Sequence, residues 1–101
     1  MNKNLLKQAQ QLQARLEQAK KDLEGSTVEA SAGGGMVTVV ATGDMTIQSI
    51  TINKEVIDPN EVDMLEDLVL AGVNEALTMA QNMANEKMGA ITGGLNLPGL
   101  S

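Results

Sequence analysis

The chain has no cysteine, no histidine and no phenylalanine, tyrosine or tryptophan, and only two prolines among its 101 residues. Without cysteine or histidine there is no disulfide, no zinc site of the usual kind, and no thiol or imidazole catalysis. Without aromatic rings there is no stacking platform for single-stranded nucleic acid. No segment is long and apolar enough to span a bilayer, the longest clean run being Leu68 to Val73. The N-terminus is too polar for a signal peptide. A cytoplasmic protein is therefore expected, with neither a membrane nor a small-molecule substrate as partner. A core made only of Leu, Val, Ile, Met and Ala, in one domain this small, is marginal because small domains bury a smaller share of their surface. That predicts a homodimer, with a stable monomer as the alternative.

Positive charge is scarce as well. The formal net charge is −6, which opposes simple electrostatic attraction to nucleic acid. Its distribution is uneven. Residues 1–24 carry Lys3, Lys7, Arg15, Lys20 and Lys21 against Glu17, Asp22 and Glu24, whereas the remainder carries only Lys54 and Lys87 among its acids. Such asymmetry reads either as an interaction footprint or as a solvated helix face.

What is present is strong periodicity. Residues 3–24 place Leu5, Ala9, Leu12, Leu16, Ala19 and Leu23 at alternating steps of four and three, the seam of a helix that pairs with one other helix. Glu17 and Lys21 stand at i, i+4 in the favourable order, and Gly25 suits a left-handed cap after the last turn. Thr27 to Ala32 alternates as a half-buried strand, with Val28, Ala30 and Ala32 on one side. Gly33-Gly34-Gly35 follows as a flexible hairpin loop. A phosphate-binding loop would need Lys and Ser/Thr after the last glycine, where Met36 and Val37 stand.

Met36 to Thr42 is a second strand. Gly43-Asp44 fits a two-residue type II′ turn with glycine first, and Met45 to Ile52 is a third strand. Met45 and Ile47 are at odd positions and Ile50 and Ile52 at even ones. Either a bulge near Gln48–Ser49 restores a common face, or both faces are covered over part of the strand. Asp58-Pro59-Asn60-Glu61 offers an N-cap, with a start near Glu61 as the alternative.

The helix that follows, to about Ile91, has a stripe of Leu65, Val69, Gly72, Ala76, Met79 and Met83. It is broadly apolar in its first half and Met/Ala-rich in its second. Strands of about seven residues match about fifteen helical residues in length. Glu61 to about Glu75 should therefore lie on the sheet. The rest should overhang it, with Met79, Ala80, Met83 and Met88 meeting the first helix's seam in an antiparallel arm. The expected fold is α+β, in the order α-β-β-β-α: a three-stranded antiparallel meander and two long helices forming a projecting arm. Residues 1–92 form one domain, and 93–101 a loose tail. Asp63, Glu66 and Asp67, near a helix N-terminus, read as dipole partners rather than as acid/base groups, so no enzyme is expected.

Several segments together resemble the YbaB/EbfC family of bacterial nucleoid-associated proteins. They are Asn4-Leu5-Leu6-Lys7-Gln8-Ala9-Gln10-Gln11-Leu12-Gln13, Met64-Leu65-Glu66-Asp67-Leu68, Asn74-Glu75-Ala76, and Lys87-Met88 leading to Thr92-Gly93-Gly94 and a Leu-Pro-Gly tail. Gly35, Val37, Val39 and Gly43 fit as well. The resemblance implies a tweezer-like homodimer that binds double-stranded DNA without a cofactor, in the cytoplasm and nucleoid, and affects nucleoid organisation and gene expression. Carried over residue by residue, it points to Lys7 with Gln8 and Gln10. Charge and arm geometry add Lys3, Arg15 and Lys87. With no Arg or Asn cluster on a docking helix, base reading is not expected, and sequence preference should be weak. A different reading of the same seams is a protein-interaction module clamping partners from replication or recombination.

Overall fold

The computed structural model describes residues 3–93. Helix α1 (Lys3–Gly25) leads into β1 (Thr27–Ala32), β2 (Val37–Thr42) and β3 (Ile47–Ile52), then a short 3-10 turn (Lys54–Val56) and helix α2 (Val62–Thr92). The strands form an antiparallel meander in the order β1-β2-β3. The fold is thus α+β, in the expected element order. The tail expected over 93–101 lies, from 94 onward, outside the described residues; Gly93 itself keeps helical dihedrals.

The core forms where α2 crosses the sheet. Val37, Val39 and Ala41 of β2 are fully buried against Ala76 and Ala80, with Ala30 beside them. Small residues set the spacing. A Cβ on Gly72 would lie 3.0 Å from Val39 Cγ2, so the helix backbone rests directly on the central strand. Leu65, Leu68, Val69, Val73 and Met79 close the sides of this core.

The irregularity in β3 is a bulge. Val40 pairs with Ser49 but Ala41 pairs with Ile47, leaving Gln48 as the extra residue. Ile47, Ile50 and Ile52 thereby face the same way as Ala41, Val39 and Val37. However, α2 packs chiefly over β1 and β2. Ile50 is left 44% exposed, although it is the partner of fully buried Val39.

Local details correct several expectations. The second and third strands begin one and two residues later than expected, at Val37 and Ile47. The turn between them is a three-residue loop, not a two-residue type II′ turn. Met45 N–H donates to Thr42 O (3.0 Å), Thr42 N–H donates to Thr46 O (2.8 Å), and Met45 takes the positive φ of 68°. Gly43 is required for another reason. The C-terminus of α1 lies on it, and its N–H donates to Leu23 O (2.9 Å).

Gly25 stays within the helix, and the Ser26 hydroxyl caps α1 by donating to Asp22 O (2.7 Å). Asp58 does not cap α2. Its carboxylate accepts from Asn60 N–H (2.9 Å), and the helix starts at Val62 after Glu61, the later of the two starts. The covered part of α2 also runs further than fifteen residues. Ala80 is fully buried in the sheet core and Met79 packs against it, so both belong to the body rather than the arm.

The molecule is long for its chain. Its radius of gyration is 19.4 Å and its extents are 69 × 26 × 16 Å, whereas a compact chain of this size has a radius of about 13 Å. The excess is the arm. No helix among the described residues is long and apolar enough to cross a membrane.

Candidate nucleic-acid interface

The arm is an antiparallel helix pair, held by the second half of the seam in α1. Ala19 and Leu23 are buried, and Leu12 and Leu16 are half-buried. From α2, Met83, Ala84, Met88 and Ile91 are half-buried. Alanine at position 19 lets the helices approach closely, and Lys87 Nζ reaches Asp22 Oδ2 at 3.2 Å. Beside this ion pair lies a shallow groove of about 290 Å³, lined by Arg15, Gln18, Ala19, Ala90 and Ile91 together with the pair itself.

The two helices are offset along the arm. The last turn of α2 ends beside Arg15 and Leu12 is the first half-buried residue of α1, so residues 3–11, about 13 Å of helix, have no second helix beside them among the described residues. The seam expected to be covered along its whole length is therefore bare at this end. Leu5 is 66% exposed, and Leu6 and Ala9 are exposed as well.

The six residues selected from the sequence are all exposed and fall on two surfaces. Lys3, Lys7 and Gln10 stand at i, i+4 and i+7 on the face of α1 turned away from the seam. Gln8 and Arg15, seven residues apart, lie on the flank beside the seam, the side on which Asp22 and Lys87 meet. Lys87 is thus partly neutralised, while Lys3 and Lys7 project from free helix.

The sequence reasoning passed over Lys21. It stands eighteen residues, five helical turns, after Lys3 and extends the same outer face. Counting in turns rather than by proximity to the tip was the signal that would have found it. The Glu17–Lys21 pairing expected from their spacing is not made. The one ion pair among the described residues is that of Lys87 with Asp22, so the Lys21 ammonium points to solvent.

The Asp22 carboxyl is held below its ordinary value of 3.8, first by the hydrogen bond donated by Gln18 Nε2 (3.0 Å) and then by the Lys87 ammonium. Its folded-state value is depressed. Its contribution to the arm is therefore in place above about pH 3.8 and is lost as the pH falls through the lowered value. Thermal melts of the wild type and Asp22→Asn should differ at pH 7 and converge in stronger acid. A gap that is absent at pH 7, or that widens in acid, contradicts this account of the arm.

Comparison with known proteins places these features. The family model described as the YbaB/EbfC DNA-binding family matches residues 1–95. A nucleoid-associated protein of Ruminiclostridium cellulolyticum is 54% identical over 96% of this chain and 85% of its own length. A nucleoid-associated protein of Acetivibrio thermocellus is 56% identical over 96% of this chain and 87% of its own length. Among solved structures, an uncharacterized protein from Helicobacter pylori superposes with a TM-score of 0.74 at 16% identity, covering 92% of this chain and 97% of that one. At that identity the likeness concerns the fold alone.

Proposed function

We propose that this chain, which belongs to the YbaB/EbfC DNA-binding family, is a nucleoid-associated protein that binds double-stranded DNA as a homodimer. On this reading it contacts phosphates through the outer face of α1, has weak sequence preference, and acts in the nucleoid on DNA organisation and gene expression. The observation that carries the reading is the pair Lys3 and Lys7 on the projecting end of α1, with Lys21 continuing the same solvent face along the paired part of the arm. An ammonium on a free helix neutralises phosphate and releases counterions, whichever base is nearby. Gln8, Gln10 and Arg15 supply polar groups and a further charge along the same arm. Lys87 plays the lesser part because Asp22 already holds it. The projecting geometry answers the negative net charge, since most acids lie on the body and Lys3 and Lys7, at the far end of α1, stand away from them.

The homodimer is supported by the uncovered strip of the body. On one side Ile50 of β3 is bare, and β3 is a sheet edge with one unpaired side. On the other, Leu77 of α2 lines a cleft with Met45, and Leu70, two turns earlier in the helix, is 59% exposed. A second copy related by a twofold would fill this strip and pair the edges, and two arms would then project from one body. The family is not one of enzymes, and Asp63, Glu66 and Asp67 are exposed on α2; no catalytic role is assigned to them.

The test is a duplex-binding titration at several salt concentrations. Lys3→Ala combined with Lys7→Ala should weaken binding alike on unrelated sequences. It should also flatten the dependence of log K on log salt by about 0.9 for each phosphate that is no longer neutralised. Unchanged affinity at low salt removes the tip from the interface. Weakening on one sequence only would mean base reading.

A further inference from the structure

We propose that the cleft at the end of the body opposite the arm is a docking groove for the α1 tip of a second copy of this chain. The cleft, of about 490 Å³, lies between the β1–β2 loop, the connection after β3 and the first turns of α2. Its floor is apolar. Val56 is buried, Met36 and Leu68 are half-buried, and Met64 is exposed at the mouth. Gly33, with φ +63°, keeps the floor open. A Cβ there would lie 2.7 Å from Leu68 Cδ2. The rim carries the exposed carboxylates of Glu55, Asp58 and Glu61, none of which makes an ion pair with another described residue.

Two methionines give such a floor the adaptability to mould around an aliphatic side chain. An apolar groove with an acidic rim takes the apolar face of a basic helix. The molecule presents one such segment. At its far end Lys3, Leu6 and Lys7 stand exposed on the stretch of α1 that α2 does not cover, Leu6 at i+3 from Lys3 on the lysines' side of the helix. Leucine suits the floor and lysine the rim. With tip and cleft at opposite ends of a molecule 69 Å long, a chain cannot fill its own groove, so the interface forms between copies. The two surfaces differ, so the association is head-to-tail and lies apart from any twofold interface. It yields rings if the rotation closes and open chains of copies if it does not.

The proposal does not rest on the DNA reading, and its test is made on full-length protein freed of nucleic acid. Sedimentation velocity should show association beyond the dimer that grows with concentration and recedes with salt. The groove variant Glu55→Lys with Glu61→Lys should weaken it at least about tenfold, and so should the tip variant Lys3→Glu with Lys7→Glu. All four positions are exposed, and circular dichroism of each variant checks that it is folded. An equimolar mixture of the two should regain association, because each reversed surface then meets an opposite charge. Three results overturn the proposal: a wild type that stays at one mass at every concentration and salt, variants that associate as the wild type does, or a mixture that stays apart.

Discussion

Gly43→Val is expected to lower the melting temperature by about 15–30 °C, the largest effect of any single substitution proposed for this chain. The reason is where α1 ends. A Cβ at position 43 would lie 2.7 Å from Leu23 Cδ2, 2.8 Å from Leu23 Cβ and 2.8 Å from Leu23 O. A side-chain tip can rotate away, but a backbone carbonyl at the end of a helix cannot. Relief requires α1 to lift from the sheet. That breaks the Gly43 N–H bond to Leu23 O and brings buried Leu23 and Ala19 toward water. Overpacking and a broken hydrogen bond together cost about 4 kcal/mol. Gly25→Ala is the control. It sits in helix with nothing within 4 Å of the added carbon, and it should leave the melt unchanged or raise it slightly. If Gly43→Val melts with the wild type, the junction of arm and body is not where the structure has it.

The second large effect is on assembly. Ile50→Asp combined with Leu70→Asp should raise the dimer dissociation constant about a thousandfold, roughly 4 kcal/mol. Light scattering at micromolar concentration would then report the mass of one chain. Both side chains are exposed in the single chain and buried in the proposed dimer, so each aspartate is harmless alone and must be desolvated on pairing. Ile57→Asp, 58% exposed on the connection that enters α2, is the control and should keep the dimer mass. A double variant that stays dimeric moves the interface elsewhere. A wild type that is monomeric removes the tweezer geometry altogether and leaves a single arm to bind DNA.

Much of this was legible in the residues. Alternation in Thr27–Ala32 marked a strand and the parity break between Ile47 and Ile50 marked an irregularity, because successive side chains in a strand point to opposite faces. The structure resolved the two readings of that break in favour of a bulge. The stripe of α2 and the seam of α1 specified which faces pack, for the same local reason. Other features depended on groups distant in sequence. Nothing near Gly43 announces that Leu23 will lie on it, so a turn was the natural reading of Gly43-Asp44. Asp58 looked like a cap, but its carboxylate was taken by Asn60 N–H. The pairing of Lys87 with Asp22, which separates it from the free lysines, spans the whole sheet in sequence.

By itself, then, the sequence determined the order of elements, the apolar face of each helix and the gathering of cations in the first helix, while the register of β2 on β3 waited on a three-residue loop. The first three follow from spacing along the chain. Only the tertiary structure decided how far the long helix stays on the sheet, which lysines remain unpaired, and how much of the opening helix stands alone. Those are offsets between elements. They depend on summed lengths and on which small residues allow two backbones to touch, and here that meant Gly43 under Leu23, Gly72 over Val39, and a second helix that stops beside Arg15 while the first continues to Lys3.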